Sequence, residues 1–205
     1  RKVNPLASAK CARSRSTSAK ERRCRMAELA IAGGPKLRTT PFTGWPPRDE
    51  GYLKALAGVL ETGVWGVGGP RTKELCQRFA ALHDAEFAVA CTSGTTALQL
   101  CLWACQVGYG DEVIVPPYTF IATASSAISC GAVPIFADID RATCALDPAA
   151  VEAAITERTK AVIAVHIGGM PCNMDALRQV CDSHGLCLIE DCAQAHGAEY
   201  GGQRV

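Results

Sequence analysis

The chain has 205 residues, of which 48% are apolar and 20% charged, the balance of an ordinary globular protein with one well-buried core and part of a second unit. No run approaches the length and apolarity of a membrane span. The net charge of +1 conceals an asymmetry: residues 1–26 carry nine Lys or Arg against Glu21 alone, which leaves the body at −7 and gives no reason to expect a nucleic acid or an anionic membrane as partner.

The basic segment has three readings: a nucleic-acid arm, an organelle-targeting peptide, or sequence outside the protein proper, with translation starting at Met26. The last is favoured, so residues 1–25 are expected to be a disordered or non-native extension and residues 26–205 the folded part. Twelve cysteines lie inside apolar periodic segments, with no CxxC and no metal-ligand spacing to the four histidines. They read as free thiols in a reducing cytosol, and a cytoplasmic location is expected.

Residues 33–47, rich in Gly, Pro and Thr with Phe42 and Trp45 among them, read as an extended arm lying on something. A helix is expected from about 48 to 61, broken by the glycine-rich stretch 63–69. GGPRTKELCQRFAAL then gives a second, with Pro70 near its first turn and Leu75, Phe79 and Leu82 along one face. From residue 86 a regular alternation begins. Strands are expected at 86–91, 112–115, 133–137, 161–165 and 186–190, with helices at about 94–107, 119–130, 148–156 and 174–184. Short apolar strands separated by helices imply a three-layer α/β domain with a mainly parallel sheet covered on both faces.

In such sheets ligands sit outside the carboxyl ends of the strands, so the residues just after each strand carry the chemical argument. Ser93 is an N-cap candidate, and Gly94 allows close backbone approach. The free N–H groups of the next turn, with the hydroxyls of Ser93, Thr95 and Thr96, would make a cradle for a phosphate dianion. The stretch reads equally well as an ordinary Ser/Thr helix cap. It lacks a Walker lysine and the glycines of a dinucleotide fingerprint, and GVWGVGGP precedes the first expected strand, so nicotinamide-dinucleotide binding is nearly excluded.

Asp191, after a strongly apolar strand, needs a partner or will protonate; a protonated ring nitrogen is one such partner, a turn or helix cap another. Phe120 has the reach to lie against the face of the same ring, or serves in core packing. Phosphate cradle, ring platform and acid together suggest pyridoxal 5'-phosphate (PLP), whose pyridinium is an electron sink that an aspartate keeps protonated.

Several segments in order resemble the DegT/DnrJ/EryC1/StrS family of sugar aminotransferases. They are GGPKLRTTPFTGWPP at 33–47, SGTTALQLCL at 93–102, GYGDEVIVPPYTFIATASSAISCGAVPIFADID at 108–140, DPAAVEAAITERTKAVIAVHIGGMPCNMD at 147–175 and HGLCLIEDCAQAHGAEYGG at 184–202. The resemblance implies an aspartate-aminotransferase-like large domain (fold type I) and a homodimer. It implies that Gly94 and Thr95 hold the cofactor phosphate, that Phe120 stacks on the pyridine ring and that Asp191 pairs with its nitrogen. Gln194 is placed near the phenolic oxygen. His166, in the turn HIGG, is a substrate-pocket candidate or a structural histidine, and His196 is assigned to the same pocket.

The family's catalytic lysine falls in a Ser-Phe-containing segment past the point matching Val205, and none of Lys36, Lys54, Lys73 or Lys160 matches it. The chain is therefore expected to be the N-terminal part of an incomplete large domain, inactive alone. The resemblance implies that the full protein moves an amino group from glutamate or glutamine, through pyridoxamine 5'-phosphate (PMP), to a nucleotide-linked keto-sugar or keto-cyclitol. A PMP-dependent dehydratase without the lysine and a non-catalytic regulatory protein retaining the fold are the alternatives.

Overall fold

A computed structural model describes residues 29–44, 46–47, 49–66 and 68–205. The basic segment 1–25, Met26 and Trp45 lie outside the described residues. The chain divides into two compact units, the first running through Tyr52 and the second spanning Leu53–Val205. In the first, a 3-10 turn at Ala30–Ala32 stops at Gly33, whose φ of 101° needs a residue without a Cβ. The Arg38 guanidinium then lies 4.2 Å over the centre of the Phe42 ring, so the 33–47 arm has local order of its own.

Helix α1 (Glu50–Thr62) crosses from the first unit into the second, and α2 (Pro70–Leu82) starts on Pro70, whose missing N–H costs nothing at a helix's first position. The rest of the second unit is built from α3 (Gly94–Ala104), β1 (Glu112–Val115), α4 (Ala122–Ser129), β2 (Val133–Phe136), α5 (Pro148–Ala154), β3 (Thr159–Val165), α6 (Met174–His184) and β4 (Cys187–Asp191). A small hairpin, β5 (Glu199–Tyr200) with β6 (Gln203–Arg204), follows. Strands β1 to β4 form one parallel sheet in the order β2-β1-β3-β4.

Alternation along the strands divides the core in two. Val113, Val115, Ala161, Ile163 and Val165 face Leu98 and Leu102 of α3 and Ala124 and Ala127 of α4. Ile114, Val162 and Ala164 face Val151 of α5 and Leu177 and Cys181 of α6. The three-layer α/β architecture expected from the sequence is thereby present. The ten cysteines among the described residues are free, and burial, reinforced by the neighbouring Cys187, pushes the Cys105 thiol up to about 12.

One expected strand is absent. Residues 86–91 are extended but join no sheet, and Phe87 and Val89 are 77% and 81% exposed. Strand propensity reflects packing against a hydrogen-bonded neighbour, and this segment pairs with neither β2 nor β4, the edge strands of the sheet. Helix α3 stops three residues short of the expected end, where Gln106 turns with φ 58°. Helix α4 begins three residues late, because Pro116–Ile121 form a turn.

Glu112 fixes the start of the sheet. It is buried at the first position of β1, accepts the Thr156 hydroxyl and pairs with the Arg158 guanidinium, both from the turn leading into β3. The Thr156 hydrogen bond, with Arg158, holds its carboxyl below the ordinary value of 4.5. A depressed folded-state pKa gives stability that is complete above the unfolded-state value and is lost as pH falls through the folded one. Glu112→Gln should therefore flatten the fall in urea midpoint between about pH 5 and pH 3 while lowering the midpoint at neutral pH. Ile163→Ala, in the middle of β3 and fully buried, should cost about 2–5 kcal/mol in the same denaturation experiment.

Candidate active site

Chain order and pairing bring two segments to the carboxyl edge of the sheet: α4 follows the end of β1, and β4 finishes beside the end of β3 at Asp191. Helix α3 precedes β1 and packs through Leu98 and Leu102 on the core face that α4 also covers.

Ser93 caps α3. Its backbone is extended (φ −162°, ψ 163°) and its Oγ accepts the Thr96 N–H at 3.2 Å. The Thr96 hydroxyl is braced between Ser93 Oγ at 3.1 Å and Thr92 Oγ1 at 3.2 Å, so it serves the cap. The N–H groups of Gly94 and Thr95 have no helical acceptor, as the first turn of any helix requires. A Cβ built on Gly94 would meet nothing within 4 Å. Nothing in the packing of the described residues demands glycine here.

After β1, Pro116 and Pro117 end the strand and the turn sets Phe120 on the surface, 69% exposed. Phe120, Tyr118, Thr119, Ile167, Gly168 and Gln194 line a cavity of about 440 Å³, together with Thr143 and Cys144 from the loop after β2. The Gln194 carbonyl Oε1 accepts the Gly168 N–H at 2.7 Å, which leaves the amide NH₂ as its free polar end, a donor. A larger cleft of about 680 Å³ lies between α1 and α2. It is walled by Leu56, Val59, Leu75, Phe79 and Leu82, and its polar groups are the ion pairs Glu74 makes with Arg71 and Arg78.

Asp191, half-buried at the end of β4, has donors on both carboxylate oxygens. Oδ1 accepts the Ala193 N–H at 3.1 Å, and Oδ2 accepts the Thr123 hydroxyl at 3.4 Å. Thr123 N–H in turn donates to the Phe120 carbonyl at 3.1 Å, so the aromatic ring and the acid are separated by a single turn of chain and one side chain.

His166 follows β3 and is completely buried, away from the cavity that its neighbours Ile167 and Gly168 line. Nδ1 accepts the Cys172 N–H at 3.1 Å, and Nε2 lies 3.0 Å from Glu190 Oε2. Burial favours the neutral ring, against the pull of the Glu190 carboxylate toward the cation. The Cys172 N–H occupies Nδ1, so the ring proton sits on Nε2 and is donated to Glu190. His166, Glu190 and Cys192 offer three potential metal-ligand atoms within 4.8 Å of one another, but the hydrogen bond accounts for two of them. His196 is exposed in the turn before β5.

Among the sequence-derived candidates, Phe120 and Gln194 share one cavity and Asp191 is joined to the Phe120 turn through Thr123, whereas the hydrogen bonds of Ser93 stay within the first turn of α3 and neither it, Gly94 nor Thr95 lines that cavity. Thr123 and Gly168 were not anticipated, and Thr119 stood among the residues expected just after β1 without a role of its own. The spacing of the two threonines by four residues, directly after a strand, was the available signal.

Known proteins are similar in sequence and in architecture. Over 183 residues the chain is 48% identical to the L-glutamine:2-deoxy-scyllo-inosose aminotransferase of Streptomyces paromomycinus, covering 86% of this chain and 43% of that protein. The structure of 3-amino-5-hydroxybenzoic acid synthase matches with a TM-score of 0.79 at 43% identity, over 82% of this chain and 44% of that one. NtdA from Bacillus subtilis, with bound cofactor PMP, matches with a TM-score of 0.70 at 35% identity, over 72% of this chain and 34% of that one. The chain thus spans less than half the length of these relatives, and the fold is that of the fold type I PLP-dependent aminotransferases. The sequence profile of the DegT/DnrJ/EryC1/StrS aminotransferase family matches residues 47–205, and the chain belongs to that family.

Proposed function

We propose that the protein of which these residues are part is a PLP-dependent aminotransferase, that glutamine is its amino donor and that a keto-cyclitol is its acceptor. The observation that carries the reading is Asp191: a carboxylate fixed by donors on both oxygens, one turn of chain from an exposed aromatic ring. The acceptor class rests on the L-glutamine:2-deoxy-scyllo-inosose aminotransferase, 48% identical over 183 residues.

The residues fit the cofactor. Gly94 and Thr95 N–H groups, with the Thr95 and Ser93 hydroxyls, would hold the phosphate in the open space before α3. Phe120 would lie against the ring face, and Asp191 would face the ring nitrogen. The Gln194 amide, its carbonyl already engaged by Gly168, would donate to the phenolic oxygen. When bound, the cofactor supplies an electron sink and carries the amine between donor and acceptor. Asp191 holds the proton at the ring nitrogen, and Phe120 shields one ring face from water. We further infer that the whole protein works as a homodimer in the cytoplasm, with residues 26–205 as the N-terminal part of its large domain.

Cofactor binding is testable on this chain with PMP, which needs no lysine. Titration followed by cofactor fluorescence should saturate, and Asp191→Asn should weaken binding at least about tenfold, since a charged hydrogen bond is lost. Ser93→Ala combined with Thr95→Val should weaken PMP while leaving pyridoxamine, which lacks the phosphate, almost unaffected. Binding indifferent to Asp191 would overturn the reading. In the whole protein, incubation with glutamine and 2-deoxy-scyllo-inosose should give the amino-cyclitol by mass spectrometry, and an unchanged ketone would exclude the proposed acceptor.

A further inference from the structure

Asp191 is served by a directional relay. Thr123 is fully buried, and its Oγ1 lies 3.4 Å from Asp191 Oδ2 and 2.8 Å from Thr119 Oγ1. A hydroxyl has one proton, and an ionised carboxylate has none to give. Thr123 must therefore spend its proton on Asp191 and accept from Thr119, so the chain runs Thr119 to Thr123 to Asp191 in one direction only. Its outer member, Thr119, lines the same cavity as Phe120 and Gln194.

We propose that Thr123 is a positioning residue, backed by Thr119, that holds the Asp191 carboxylate in orientation and keeps the proton on the heterocycle it faces; this rests on the cofactor reading above. The relay and the Ala193 N–H act on opposite oxygens, so the carboxylate plane is fixed before any ligand arrives. The Thr123 bond also takes up part of the negative charge on Oδ2. Without it that oxygen competes harder for the shared proton, and the ring nitrogen loses proton occupancy. Thr119 strengthens the effect by polarising the Thr123 hydroxyl, a cooperative contribution with no contact of its own to Asp191. The two threonines flank Phe120 in sequence, so one turn supplies both the ring platform and the support for the acid.

The test uses the whole protein of which these residues are part, with PMP labelled with 15N in the pyridine ring. Thr123→Val, close in shape, should move the bound 15N resonance toward the unprotonated position and raise Kd about three- to tenfold. Thr123→Ser, which keeps the hydroxyl, should restore both. Thr119→Val should shift the resonance in the same direction by less, and the double variant should match Thr123→Val alone, because Thr119 acts only through Thr123. An unmoved resonance in Thr123→Val, or independent additive effects of the two threonines, would overturn the proposal. Should Thr123→Val fail to fold, the shift in Thr119→Val decides in the same way. Asp191→Asn separates the two levels: if it leaves the resonance unchanged, or if the unaltered protein binds no PMP, the cofactor reading itself fails.

Discussion

The pairing of β3 with β4 determines where the candidate functional groups stand. Five consecutive register partners, from Ala161 with Cys187 to Val165 with Asp191, carry the acid to the last rung of the sheet. At that rung the His166 N–H still binds the Asp191 carbonyl, so the backbone is held while the side chain extends past the end of the ladder. A slip of one residue would turn Asp191 into the opposite face of the sheet and exchange the two core faces of β4. The packing of Cys187 and Ile189 on one side and Leu188 on the other opposes such a slip, and so the position of a candidate site residue is enforced by hydrophobic packing.

The helices complete the arrangement through direction rather than contact. Because parallel strands must be joined by crossovers, helices lying on the sheet run back against it, and their N-termini collect at the carboxyl edge. Helix α3, which follows no strand of the sheet, presents two N–H donors without acceptors, and β4 presents a carboxylate. An anion fits the first and a protonated nitrogen the second, which is the charge pattern of a zwitterionic heterocyclic phosphate.

How far the sequence disclosed this depends on whether a feature is local. Ser93 was readable as a cap because a hydroxyl before a helical apolar pattern acts on its own next turn, and the structure has that bond. The four sheet strands were readable as short apolar runs, which burial on both faces explains for the inner pair β1 and β3. Residues 86–91 looked the same by composition, yet a strand is defined by a partner, and no pattern within EFAVAC says whether one is present. Thr123 escaped notice for a related reason: its meaning comes from Asp191, 68 residues beyond it in the chain. The orientation of the His166 imidazole, set by the Cys172 N–H, was equally invisible in the turn HIGG.

Gly94 carries a cost that the fold alone would not retain. At the first position of a helix, alanine would lower the conformational freedom of the unfolded chain and favour the helical state by about 0.5–1 kcal/mol. Its methyl group would touch no other part of the chain. Folding stability alone would thus favour alanine here, and the reason for a glycine lies outside the packing of the described residues.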